Sequence, residues 1–263
     1  MINKSDRILI TGGTGLIGSN LTIRLNNEGY ETLSIGSEKD LRVKDNCEDI
    51  FKKFKPNIVF HLAAKVGGIH ANSNFKADFY SDNILINTNI VNECYKNEIQ
   101  YVFAMGTGCA YPKRLEDKLL KEDYFLDGIP EVTNDAYAYA KRCLLVHLKA
   151  INEATKLKYV YALPSNIYGK YDNFHPLNSH VIPGLIRRFC YSTDNNLKDL
   201  EIWGDGTAKR DFMYIDDCIE AIITLAKSEF IGTCNIATGK LVSIKDLSFL
   251  LKEISGFQGN LLF

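Results

Sequence analysis

Residues 135–143 read "DAYAYAKRC", two tyrosines and a lysine in a stretch that favours a helix. Tyr137 and Lys141 are four apart and share a helix face, whereas Tyr139, two from Lys141, points elsewhere. An ammonium beside a phenol favours the phenolate, which would lower Tyr137 towards a pKa suited to acid–base work. The same spacing also occurs in ordinary amphipathic helices, so the surrounding elements must decide. A second candidate lies near the start. Gly12, Gly15 and Gly18 form a GxxGxxG turn, whose backbone can approach a pyrophosphate where a helix N-terminus offers free N–H groups. A bare tight turn is the plain alternative.

The elements that would position these residues alternate. "RILIT" is a short apolar strand, and after the glycine turn Leu21 and Leu25 mark a helix that ends near Gly29. "YETLSI" is a second strand, and a glycine turn between strand and helix reads as a dinucleotide site. "EDIFKKFKP" is helical, "NIVFHLAA" a strand, "NILINTNIVNECYKNEI" a helix and "QYVFAMGTG" a strand. The long helix "AYAYAKRCLLVHLKAINEATK" and the strand "KYVYALPSNIYG" follow. This predicts an α/β fold, a Rossmann-type doubly wound parallel sheet covered on both faces. After Gly169 the rhythm breaks into a polar loop and a helix, "KYDNFHPLNSHVIPGLIRRF", which suits a smaller C-terminal substrate-binding lobe. The division expected is 1–168, with 210–236 returning to it, against 169–209 and 237–263.

Composition excludes several classes. The 263 residues carry a net charge of −1, with no basic run interleaved with aromatics, so neither nucleic acid nor an anionic membrane is an expected partner. Seven scattered cysteines without a CxxC pair point to reduced thiols and no zinc site, and the five histidines show no HExxH spacing. No stretch approaches transmembrane length, and the N-terminus runs into a strand without an apolar signal region. A soluble, cytoplasmic enzyme without a metal is the expectation. After the second strand stand Gly36, Ser37, Glu38 and Lys39. Ser37 and Lys39 could receive a 2′-phosphate, and Glu38 would oppose it, so the segment leans towards NADP(H) with NAD(H) as the alternative.

With the glycine turn, "HLAA" and Tyr137-xxx-Lys141 in this order, the chain resembles the extended short-chain dehydrogenase/reductases. "HLAAKVGGIHAN", "GTGCAYPKR", "AYAYAKR", "YDNFHPLNSHVIPGLIRRF" and "IWGDGTAKRDFMYIDD" are similar to the GDP-L-fucose synthase family, GDP-4-keto-6-deoxymannose 3,5-epimerase/4-reductases. The resemblance runs from about residue 7 to the end, and members continue for several tens of residues beyond "SGFQGNLLF", a part expected to help close the sugar-nucleotide pocket.

The resemblance implies roles. Tyr137 would protonate the alkoxide formed at C4 of a keto sugar, with Lys141 lowering its pKa and binding the nicotinamide ribose. Thr107 stands where the family usually has serine, and its hydroxyl can make the same bond to the carbonyl oxygen, or merely cap a loop. Gly108 stands where many members carry a second hydroxyl. Cys109 and His180 match the epimerising pair. The C4 ketone acidifies the C–H bonds at C3 and C5, and a thiolate and an imidazole can exchange those protons on opposite faces. Both residues would also serve a plain 4-reductase as pocket lining. The cofactor would lie on Gly12, Gly13, Thr14, Gly15, Leu16, Ile17 and Gly18, on Ser37, Lys39, Asp40 and Leu41, on Leu62, Ala63 and Ala64, and on Gly106, Pro164, Asn166 and Ile167. Arg188, Trp203 and Arg210 would contact the diphosphate and sugar. Asn83 and Asn166 would fix backbone near the cofactor, His61 would be structural, and His70 lies on the substrate side. Asp216 or Asp217 reads as a helix cap. The expected activity is reduction of a GDP-4-keto-deoxysugar or GDP-4-keto-heptose, with 3,5-epimerisation permitted. The rival readings are an NAD-dependent sugar-nucleotide 4-epimerase or dehydrogenase with tightly held cofactor, and a non-catalytic NADP(H)-binding protein. Family members pair through two helices, one carrying Tyr137 and Lys141, so a homodimer is expected. The apolar residues of "CLLVHLKAI" would support it, unless they pack on the sheet.

Overall fold

The computed structural model describes residues 2–115, 119–176 and 178–263, with only the backbone of Ile69 and His70. Its elements in order are β1 (Arg7–Thr11), α1 (Leu16–Asn27), β2 (Glu31–Ile35), α2 (Lys44–Phe54), β3 (Ile58–His61), α3 (Ile69–Asn74), α4 (Lys76–Lys96) and β4 (Tyr101–Met105). There follow α5 (Asp135–Ala154), β5 (Lys158–Pro164), β6 (Asn166–Tyr168), α6 (Val181–Asp194), β7 (Asp199–Glu201), β8 (Lys209–Tyr214) and α7 (Ile215–Lys227). The last are β9 (Gly232–Ile236), β10 (Leu241–Ser243), α8 (Ile244–Ser255) and β11 (Asn260–Leu262).

Six parallel strands form the central sheet in the order β2-β1-β3-β4-β5-β9. Alternate residues of one strand serve opposite faces, as the two-residue strand period requires. Leu9, Val59, Val102 and Ala104 face a core shared with Cys47 and Phe51 of α2, Ile90 and Val91 of α4, and Leu144, Leu145 and Leu148 of α5. Ile8, Ile10, Phe60 and Phe103 face the other core, with Leu21 and Leu25 of α1 and Ile219, Ile222 and Ile223 of α7. Burial on both faces is why these strands read as continuous apolar runs. The doubly wound expectation holds.

Connections from β1 leave for β2 on one side and return to β3 on the other. That reversal opens a crevice at the C-terminal strand ends, where ligands bind in open α/β sheets. The lobe beyond β5 has its own core of Ile182, Leu185 and Phe189 from α6, Leu200, Ile202, Leu247 and Phe257. It carries a three-stranded sheet, β10-β8-β6, and a pair, β11-β7. Asp216 and Asp217 do not cap α7. Tyr214 is the N-cap without a side-chain bond, and both carboxylates sit in the first turn, where they complement the helix dipole. No helix among the described residues is long and apolar enough to cross a membrane.

Candidate active site

The glycine turn joins β1 to α1 at the switch point. Gly12 has φ +74°, and a side chain there would bring its Cβ within 2.7 Å of the Ala63 nitrogen; one at Gly18 would overlap the Gly12 carbonyl. Glycine is required at both for the turn to pass this close to its neighbours. Gly15 is the N-cap of α1 with no side chain capping it, so the first N–H groups of the helix remain available to an anion. The turn is tied to β2 by a bond from Gly13 N to Ile35 O (2.8 Å). Thr14, Leu16 and Ile17 lie in this cradle. Such a turn fits a pyrophosphate.

The segment Leu62–Ala64 follows β3 and is fixed by β1. Leu62 N donates to Thr11 O (3.1 Å), and Ala63 N to Thr11 Oγ1 (3.3 Å). His61 is neutral and its Nε2 faces the Asn87 oxygen, which can only accept, so Nδ1 is unprotonated and Thr11 Oγ1 donates to it at 2.8 Å. His61 Nε2 then donates to Asn87 Oδ1 at 3.0 Å, and Asn87 Nδ2 reaches the Ala140 carbonyl at 3.4 Å. Burial pushes His61 down to about 4, which keeps it neutral in this chain of bonds. His61 is therefore structural, as expected. Asn83 does the same for the next residues, bonding both the N–H and the carbonyl of Lys65 at 3.0 Å. Asn166 Nδ2 bonds the Asp211 carbonyl (3.0 Å).

Across the crevice, α5 lies against the loop that follows β4. Lys141 is buried, and its Nζ donates to Met105 O at 2.8 Å, the last residue of β4. Tyr161 Oη holds the Lys141 carbonyl (2.7 Å). Tyr137 is half-buried, edge-on to Phe79, with Lys141 Nζ 5.9 Å from its ring centroid. The expected depression of Tyr137 by Lys141 is not found. Burial drives the Tyr137 phenol well above its usual range, and charge on Cys109 raises it further. Burial also brings Lys141 down to about 8, and among the described residues no carboxylate pairs with it. Desolvation outweighs the lysine's attraction at this separation.

Thr107 Oγ1 accepts from Cys109 N (3.3 Å), capping the 3₁₀ turn Gly108–Ala110. The cap uses an oxygen lone pair and leaves the hydroxyl proton free to donate, so capping and substrate contact are compatible. Cys109 is exposed in the same turn. Gly106 is buried, Pro164 ends β5 and Ile167 lies in the middle of β6.

Arg142, adjacent to Lys141, was not legible as a site residue. Its guanidinium is buried and donates to Ala110 O (2.9 and 2.7 Å) and Gly128 O (2.6 Å). It fastens α5 to the turn that carries Thr107 and Cys109. The "KR" pair in the helix was the only signal.

Other residues are less gathered. Ser37 and Lys39 are exposed after β2. Asp40 pairs with Arg42 (2.8 Å), which holds its carboxyl down at about 2, and Leu41 is buried in the core. His180 is exposed at the N-cap of α6. Arg188 bonds the Glu201 carbonyl and lies 5.2 Å from the Trp203 ring centroid, a cation–π pair on the lobe. Arg210 stands apart from them on β8, its Nη1 on the Lys209 carbonyl (2.7 Å). The side chain of His70 lies outside the described residues.

Residues 8–237 match the NAD dependent epimerase/dehydratase family, and the chain belongs to it. Within it, the chain is 36% identical to GDP-L-fucose synthase 1 of Arabidopsis thaliana, over 99% of this chain and 81% of that protein. It is 33% identical to GDP-L-fucose synthase of Escherichia coli strain K12, over 99% and 84%. Among solved structures, a GDP-L-fucose synthetase from Naegleria fowleri bound to NADP superposes with a TM-score of 0.85 at 31% identity, covering 100% of this chain and 82% of that one. MlghC, a GDP-mannoheptose C4 reductase from Campylobacter jejuni with NADP bound, gives 0.89 at 27% identity, covering 100% and 88%.

Proposed function

We propose that this chain reduces the C4 ketone of a GDP-4-keto sugar with NADP(H), and that Cys109 and His180 allow 3,5-epimerisation of the same substrate. The observation that carries the reading is Lys141 bonded to the last residue of β4, with Tyr137 beside it on α5 and the Thr107 turn following that strand, together with a glycine turn fit for a pyrophosphate. The dinucleotide, when bound, supplies the hydride. Every other task falls to the chain.

The turn from Gly12 to Gly18 holds the pyrophosphate, and Leu62–Ala64, Gly106 and Pro164–Ile167 border the nicotinamide half. Thr107 donates a hydrogen bond to the C4 carbonyl oxygen. Tyr137 gives its proton to that oxygen as negative charge develops there. Its raised pKa keeps it protonated and able to donate. Lys141 binds the ribose hydroxyls, and a hydroxyl bridge lets its charge assist Tyr137 on substrate entry. Cys109 and His180 exchange the protons at C3 and C5. Arg188, Trp203 and Arg210 hold the diphosphate and sugar, with residues 169–209 and 237–263 as the substrate lobe.

We further propose a homodimer in the cytoplasm. Leu144, Leu145 and Leu148 pack on the sheet, so they give the dimer no support. Exposed Leu85 and Tyr95 on α4, with Tyr139 and Val146 on α5, are the surface that does. Light scattering at micromolar concentration tests this, and a monomer mass rejects it.

Activity is tested by adding GDP-4-keto-6-deoxymannose to protein and NADPH in deuterated water. NADPH oxidation with deuterium at C3 and C5 supports both steps. Oxidation without deuterium restricts the chain to 4-reduction, and no oxidation rejects this sugar as the substrate.

A further inference from the structure

The chain crosses between the central sheet and the lobe from β5 to β6, from β8 to α7 and from β9 to β10. The small sheet β10-β8-β6 is the joint. Ile167 of β6 and Met213 of β8 pack on the core of the central sheet, whereas their neighbours Tyr168 and Phe212 pack on the core of the lobe. Two of the crossings are fastened to each other where Ser165 N donates to Ile236 O (2.9 Å). Both are also fastened to one residue of β8, Asp211. Asn166, at the start of β6, donates from Nδ2 to the Asp211 carbonyl (3.0 Å). Gly239 N (2.7 Å), Thr238 N (3.2 Å) and Thr238 Oγ1 (2.9 Å), in the turn from β9 to β10, donate to its carboxylate.

These three donors are neutral groups on an ionised acceptor, and such bonds are about twice as strong as neutral ones. The turn they hold is exposed and bends at Gly239, whose φ is +74°. It leads straight into β10, where Val242 lies opposite Arg210 in antiparallel register. Adjacent residues of a strand point to opposite faces, so Arg210 is directed away from the carboxylate that fixes the turn. The Arg210 guanidinium is exposed and rests on the carbonyl of its own neighbour, Lys209. Its place in the crevice is therefore set by the backbone of β8, and Asp211 is where that backbone is tied to both crossings.

We propose that Asp211 is a positioning residue for substrate binding: by tying two crossings to β8 it fixes the angle between sheet and lobe, and so holds Arg210 where the diphosphate of a nucleotide sugar reaches it. This rests on the reading of Arg210 as a diphosphate contact and adds what places that contact. Asp211 itself touches neither nucleotide and acts through its neighbour.

The test is calorimetric titration of the full chain with GDP at saturating NADP+, for wild type, Asp211→Asn, Arg210→Ala and the double variant, with NADP+ titrated separately. Asparagine keeps the shape of the side chain but replaces one acceptor oxygen with a donor. Asp211→Asn is expected to weaken GDP about tenfold, to leave the NADP+ dissociation constant within about threefold, and to add less than about twofold once Arg210 is alanine. The milder Thr238→Val, at an exposed residue, removes one bond and keeps the two from backbone N–H groups, and should weaken GDP by about threefold. Unchanged GDP affinity in Asp211→Asn overturns the proposal. So does a tenfold loss that persists in the Arg210→Ala background, or an equal loss of NADP+ affinity, because a residue that merely stabilises the fold would give either. If GDP fails to bind the wild type, the reading of the lobe as a GDP-sugar site fails and the role of Asp211 falls with it.

Discussion

The two sides of the crevice are built differently. On the sheet side, Lys141, Arg142, His61 and Asn87 are buried and each makes bonds to named backbone or side-chain partners. On the lobe side, Trp203 is 73% exposed, and His180 and Arg210 stand in solvent. In the proposed reading, the groups that protonate the C4 oxygen are held by the sheet before substrate arrives, whereas the nucleotide-contacting groups, and His180 with its proposed role in epimerisation, lie open on the lobe. Substitutions of Tyr137 and its supports should therefore reduce kcat of reduction, and those of Arg188, Trp203 and Arg210 should raise KM.

The sharpest way to break this contrast is Tyr137→Phe. Loss of the proton donor is expected to lower kcat by about 10²–10⁴-fold while the NADPH dissociation constant stays within about threefold. Stopped-flow reduction with a fluorescence titration checks it, and an unchanged kcat removes Tyr137 from the chemistry.

Arg142→Ala comes next. It leaves the carbonyls of Ala110 and Gly128 without partners and frees the turn that carries Thr107 and Cys109. A buried charged donor with three bonds is expected to cost about 3 kcal/mol of stability, read by urea unfolding, with kcat falling more than KM rises. Recovery of kcat by Arg142→Lys without recovery of stability would separate positioning from folding.

These residues show what the sequence could and could not carry. The strand and helix alternation was legible because each strand contributes to two buried faces and each helix shows one apolar stripe. The glycine turn was legible because its spacing is local. Arg142 was not, since nothing in "AKRC" says that one cation will be surrounded by carbonyls from residues 110 and 128. The pKa of Tyr137 was misjudged for a related reason: helix spacing gives a shared face, while burial depends on Phe79, a residue far away in the chain.

A smaller effect probes the scaffold through pH. His61 has its pKa lowered from 6.5 to about 4 by burial, so the unfolded chain takes up the proton first as pH falls. The sign is then fixed: stability is full above about 6.5 and is lost progressively down to about 4, by roughly 3 kcal/mol at most. Urea unfolding of His61→Gln against wild type across this window should show a shallower acid slope in the variant. Equal slopes would mean that other groups carry the acid sensitivity.

The smallest effect belongs to the lobe. Trp203→Ala removes the ring that Arg188 faces at 5.2 Å and that stands free to cover a sugar or base. An exposed cation–π pair contributes about 0.5–1 kcal/mol, and lost ring contact with substrate adds to it, so KM for the nucleotide sugar should rise about tenfold with kcat nearly unchanged. The chain's melting temperature should barely move, because a side chain already in solvent contributes little to folding. Should kcat fall instead, Trp203 would be part of closing the lobe over the reacting centre, and the division between a preformed sheet side and an open lobe would have to give way to one in which both are set by substrate.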